Sequence, residues 1–112
     1  MEYYIGDLCY VFNDTWDEVC EHICGEERKE GWITLRDGRT FWIHSTMWGD
    51  GGYYDQHDNE YGVDSGTLGL VKVCDMDDDA RPELGHIHTM HSPVCHADMG
   101  ILHFGSITID TE

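Results

Sequence analysis

Trp32-Ile33-Thr34-Leu35-Arg36-Asp37-Gly38-Arg39-Thr40-Phe41-Trp42-Ile43-His44 places two runs rich in β-branched and aromatic residues on either side of Asp37-Gly38. Such runs suit strands, and Asp-Gly is among the dipeptides best fitted to a tight hairpin turn. The stretch therefore predicts an antiparallel hairpin closed by two residues. Downstream, residues 52–55 and 60–63 form a second expected pair joined through His57-Asp58-Asn59. Further apolar strands are expected over 68–74, 84–90, 101–104 and 107–109, separated by turn residues at Ser92-Pro93 and Gly105-Ser106. Upstream, residues 3–5 and 9–12 read as short strands broken at Gly6-Asp7. The connections are too short for repeated helical crossovers, so neighbouring strands should be antiparallel.

One segment has a different period. Trp16, Val19, Cys20, Ile23 and Cys24 recur at helical spacing, with Asp17, Glu18, Glu21 and His22 between them. This predicts an amphipathic helix over 14–24 whose stripe, Cys20 and Cys24 included, packs into the core. Thr15 with Glu18 fits a capping box, Asp14 is the competing cap, and Gly25 suits the left-handed C-terminal position. The expected fold class is α+β: a mainly antiparallel β-sheet or a partly closed barrel, with one amphipathic N-terminal helix, in a single domain spanning 1–112.

Composition narrows the partners. The 112 residues carry 23 Asp and Glu against 6 Lys and Arg, a formal charge of -17. That charge repels nucleic acid phosphates and anionic membrane surfaces, so direct binding to either is not expected. Four Trp, six Tyr and three Phe supply enough apolar bulk for a folded core despite the charge. No run reaches the roughly 18 to 20 apolar residues of a membrane span. Five cysteines, an odd number, behind an N-terminus without a secretory pattern imply reduced thiols and a cytoplasmic location.

Three segments carry a resemblance: Ile5-Gly6-Asp7-Leu8-Cys9-Tyr10-Val11 before the Trp-bearing helix, Tyr61-Gly62-Val63-Asp64-Ser65-Gly66-Thr67-Leu68-Gly69, and Phe104-Gly105 leading to Ile109-Asp110-Thr111. Together they resemble a group of small uncharacterised proteins from bacteriophages and bacteria. That group more often has proline at the position of Leu8. The resemblance implies a phage or prophage origin and a host-cell cytoplasmic setting, and it brings no catalytic residue with it. Read from the residues themselves, the glycines of the middle segment suit tight turns and close packing, and Asp64-Ser65-Gly66 suits an Asx-type turn.

Two chemistries compete for the function. His86, His88, His91, His96 and His103 crowd the last third of the chain together with Cys95 and Asp98. Imidazole and thiolate are good zinc ligands, and alternation along a strand puts His86 and His88 on one face, so His86, His88, Cys95 and His103 form the expected zinc (Zn2+) set. Asp75-Met76-Asp77-Asp78-Asp79 opens like a calcium loop, but Ala80 stands at its turning glycine and His86 at its bidentate glutamate. Adjacent Cys95 and His96 point to opposite faces of an extended strand, which disfavours a nucleophile and base, and no phosphate-cradling glycine motif occurs. The second chemistry is charge. A compact body of this length is roughly 34 Å across, over which duplex DNA presents about 20 phosphates. Carboxylates on such a body can stand in for phosphates in the basic groove of a host nucleic-acid-binding protein. The leading expectation is thus a non-enzymatic inhibitor or modulator of a basic host protein, in effect a DNA mimic with an anti-defence role. Its expected contacts are Asp75, Asp77, Asp78 and Asp79 in one cluster and Asp50, Asp55, Asp58 and Glu60 in another, with Tyr53 as an exposed aromatic anchor.

Overall fold

A computed structural model describes residues 1–24 and 29–112. Among these, ten strands and one α-helix follow the order β1 (Glu2–Gly6), α1 (Trp16–Ile23), β2 (Gly31–Thr34), β3 (Thr40–Ser45), β4 (Gly51–Tyr54), β5 (Glu60–Val63), β6 (Thr67–Lys72), β7 (His86–Thr89), β8 (Cys95–Asp98), β9 (Ile101–Phe104) and β10 (Ile107–Asp110). Every strand pairing is antiparallel. The strands form a five-stranded sheet ordered β2-β3-β6-β1-β7, a three-stranded sheet β10-β9-β8 and the hairpin β4-β5. The fold is α+β and mainly β. The sheets do not close into a barrel, because the two smaller ones lie over one face of the large sheet instead of continuing its edges.

Alternation along the central strands explains this layering. Tyr3 and Ile5 of β1, Trp42 of β3, and Leu68 and Leu70 of β6 enter one core with Tyr53, Tyr61, Val63, Leu102, Phe104, Ile107 and Ile109 of the smaller sheets. The intervening Tyr4, Phe41, Ile43 and Val71 enter a second core, on the opposite face, with Val19 and Ile23 of the helix and with Leu8, Val11 and Phe12. A sheet covered on both faces needs apolar residues at successive positions, and Thr67 to Val71 of β6 are all buried. At Gly69 a side chain would meet Leu8 Cδ1 and the Trp42 carbonyl at 2.6 Å, so that crossing admits only glycine. A bridge between Asp55 and Ile109 joins the hairpin to the three-stranded sheet, completing the layer β4, β5, β8, β9 and β10. Among the described residues no helix is long and apolar enough to cross a membrane.

Several expectations need correction. The β2-β3 hairpin forms, but Leu35 N–H donates to the Arg39 carbonyl at 2.8 Å, leaving three residues in the loop, with Gly38 at φ +93°. A type I turn followed by a left-handed glycine relieves the strand splay that a two-residue type I turn would cause. The expected strand at 9–12 is a 3-10 turn over Leu8–Tyr10, capped when Asp7 accepts the Cys9 N–H. The strand β8 lay hidden because Cys95-His96-Ala97-Asp98 has little β-propensity. The helix is shorter than expected and the capping box is absent: Thr15 donates N–H and hydroxyl to Asp77, and Glu18 accepts the Arg36 N–H. Tertiary partners outcompete the local cap. Cys20 is half-buried and Cys24 exposed, so the apolar stripe ends at Ile23. Gly25, expected at the C-terminal cap, lies outside the described residues. All five cysteines are free.

Candidate functional site

The expected zinc residues are divided between two sheets. His86 and His88 share a face of β7, in the large sheet, whereas Cys95 and His103 lie on β8 and β9. Cys95 opposes Phe104 and packs inward, and His103 opposes His96 outward, their rings stacked with centroids 4.2 Å apart. Cys95 and His103 therefore face opposite sides of one sheet. Burial also pushes the Cys95 thiol up to about 11, away from the thiolate a metal requires. His86 Nε2 donates to the Glu60 carbonyl at 2.8 Å. Among the described residues no three His, Cys, Asp or Glu side chains converge as a metal-holding group.

His88 instead ends a buried hydrogen-bond chain. Tyr61 donates its hydroxyl to Asp55 Oδ2 at 2.8 Å and lies 3.0 Å from His88 Nε2. Since the single hydroxyl proton goes to the carboxylate, His88 Nε2 must carry the hydrogen of the second contact. Asp55 also accepts the N–H groups of His57 and Asn59 and the Asn59 side-chain amide. Burial opposes its ionisation, but the bonds from Asn59, Tyr61 and His57 prevail and hold the carboxyl at about 2. Burial is the main cause that lowers the His88 pKa. This network ties β5, β7 and the 55–59 turn together. It reads as architecture.

Two of the residues expected at a partner surface are therefore inside. Asp55 is only 5% exposed, and Tyr53, expected as an exposed anchor, is buried with its hydroxyl donating to the Gly49 carbonyl at 2.9 Å and lying 3.2 Å from Thr46 Oγ1. The neighbouring Tyr54 takes the outward position. Asp50, Asp58 and Glu60 are exposed. In the other cluster Asp78 and Asp79 are exposed and Asp75 half-buried. Asp77 pairs with Arg39 at 2.9 Å and accepts from Thr15. Burial raises its pKa, yet the bonds from Arg39 and Thr15 more than offset this, so the carboxyl sits below its ordinary value. Asp77 thus pins the helix start to the hairpin turn.

The arrangement of charge is more informative than either cluster. Neither 40–71 nor 82–112 contains a Lys or Arg, so the layer β4, β5, β8, β9 and β10, with its connecting turns, carries no cation of those types. Its carboxylates outside the Asp55 network belong to exposed residues, with Asp64 also engaging the Tyr10 hydroxyl. Asp50, Asp58, Glu60 and Asp64 are exposed on the hairpin side, and Asp98, Asp110 and Glu112 on the three-stranded side. Asp98, Ile101 and Asp110 face one another across β8, β9 and β10, which sets two carboxylates on the outer face of that sheet. Asp64, Asp98, Asp110 and Glu112 were not singled out from short acidic runs. The long cation-free stretches are the sequence signal that marks them.

Two of the three segments that carry the resemblance meet at another buried carboxylate. Asp7, fully buried, accepts the N–H groups of Asp64 and Ser65 at 2.7 Å each, the Ser65 hydroxyl at 2.8 Å and the Cys9 N–H at 3.0 Å. It joins the first segment to the second as a structural clasp. No protein-family model, curated protein or solved structure matches the chain.

Proposed function

We propose that the protein is a non-enzymatic acidic binder whose cation-free layer engages a basic surface on another protein, in the place that nucleic acid phosphates would occupy. The observation that supports this is the layer itself: exposed carboxylates on both of its sheets and no Lys or Arg in the strands that build it. The molecule measures 34 × 32 × 23 Å. Seven exposed carboxylates on a body of that longest extent correspond to about one per 5 Å of it, nearer the spacing of one DNA strand (about 3.4 Å) than of the duplex (about 1.7 Å). That density suits a groove lined with Lys and Arg. The resemblance to small phage and bacterial proteins supplies the setting, a host protein in the bacterial cytoplasm that is inhibited or modulated by being occupied.

The test is affinity capture from bacterial lysate at low and high salt, using the wild type and a variant with Asp50, Asp58, Glu60, Asp98 and Asp110 changed to Asn or Gln. A basic partner retained at low salt, released at high salt and lost to the variant supports the reading. Capture that is indifferent to salt and to the substitutions rejects it.

A further inference from the structure

On the same layer, two turns bring exposed apolar side chains to one end. Met47 and Trp48, in the turn between β3 and β4, are 57% and 75% exposed, and Met99, at the tip of the β8-β9 hairpin, is 82% exposed. The turns are fastened together by Thr111, which is fully buried: its hydroxyl accepts the Met47 N–H at 3.1 Å and donates to the Gly100 carbonyl. A Cβ at Gly100 would lie 3.7 Å from Met47 Cβ, so the two backbones are in near contact. The Met47-Trp48 turn is fixed from its other side as well. Thr46 N–H donates to the Gly66 carbonyl at 2.9 Å, and the Gly49 carbonyl accepts from the hydroxyls of Thr46 and Tyr53.

Exposed apolar side chains grouped together and rimmed by polar residues mark interaction sites, whereas scattered ones do not. Met99 adds an oddity of its own. It occupies the left-handed region at φ +50°, beside Gly100 at +87°, in a two-residue turn where Asn or Gly is the natural choice. Asp50 and Asp98 flank the apolar side chains in sequence, and Glu112 Cγ lies 3.0 Å from the position of a Gly100 Cβ. This acidic border selects the occupant. A second copy would bring the same carboxylates against themselves, and an anionic membrane would be repelled.

We infer that Met47, Trp48 and Met99 form the apolar anchor of the interaction surface, seating an apolar cluster bordered by Lys or Arg on a basic protein partner. The inference rests on the proposed function and adds to it where the affinity, as distinct from the steering, resides. Central aromatic anchors dominate interface energetics, while rim charges mainly govern approach.

The test uses two labelled Lys-rich peptides of equal charge, one with a central Leu-Phe-Leu and one with Ser-Ser-Ser in its place, titrated against the full chain by fluorescence anisotropy. The apolar peptide should bind roughly tenfold more tightly, and Trp48→Ala or Met47→Ala should remove most of that difference while leaving the Ser peptide unchanged. Trp32→Ala is the control, since Trp32 is also exposed but borders a shallow depression with Lys72. Equal affinities, or a difference that survives Trp48→Ala and Met47→Ala together, overturn the anchor even if salt-sensitive binding persists. No binding of either peptide at low salt overturns the charge reading too. Reversible dimerisation that Trp48→Ala abolishes would replace the basic partner with a second copy.

Discussion

Asp7 and Asp55 show what single carboxylates do inside an acidic protein. Both are buried; Asp7 gathers donors from a segment distant in the chain and Asp55 from its own turn and Tyr61, so removing either leaves several donors without an acceptor. Asp7→Ala should cost roughly 3 to 5 kcal/mol, read as a lowered urea midpoint. A loss below about 1 kcal/mol would show that water replaces the carboxylate at no penalty. Asp55 has a pH signature. Its folded-state pKa, about 2, is below the ordinary 3.8, so its stabilising contribution is complete above about pH 4 and disappears as pH falls toward 2. Asp55→Asn should flatten the decline in thermal midpoint across that window relative to wild type, and parallel curves would contradict the assignment. Neither role was legible in the sequence. A buried structural Asp and a solvated one look alike until the N–H groups of Asp64, Ser65, His57 and Asn59 are seen to converge on them.

At the scale of elements, periodicity located what it should and little beyond it. The helix stripe and the β2-β3 hairpin were legible because apolar spacing is a local property, whereas the length of the loop around Gly38 and the missing cap at Thr15 depended on partners far along the chain. The strand β8 could not be read, since a Cys-His-Ala-Asp segment becomes a strand only when β9 pairs with it. Within the helix, Ile23→Ala should cost roughly 2 to 5 kcal/mol, and Cys24→Ser should change stability by less than about 0.5 kcal/mol. Equal losses in chemical denaturation would restore Cys24 to the core. At the β8-β9 tip, Met99→Asn removes an unfavourable left-handed methionine and should raise stability by about 0.5 to 1 kcal/mol. A lowered thermal midpoint would mean that Met99 contributes to packing despite its exposure.

For the whole molecule, the consequence of -17 depends on where the cations stand. The six Lys and Arg fall within 28–39 and at Lys72 and Arg81, leaving the second layer without any. The candidate site was thus half legible: acidity was plain, but Asp55, Asp77 and Tyr53 were absorbed into the architecture, and Asp98 and Asp110 reached one surface only through the β8-β9-β10 pairing. Exposed charges steer association over about a Debye length, near 8 Å at physiological salt, so their effect belongs chiefly in the association rate. The most direct measurement is the association rate constant with a captured basic partner across a salt series, for the wild type and for the variant with Asp50, Asp58, Glu60, Asp98 and Asp110 neutralised. The wild-type rate should fall steeply as salt rises, and the variant should start slower and respond far less. Identical rates and identical salt slopes for the two proteins would contradict the claim that this layer is the binding face.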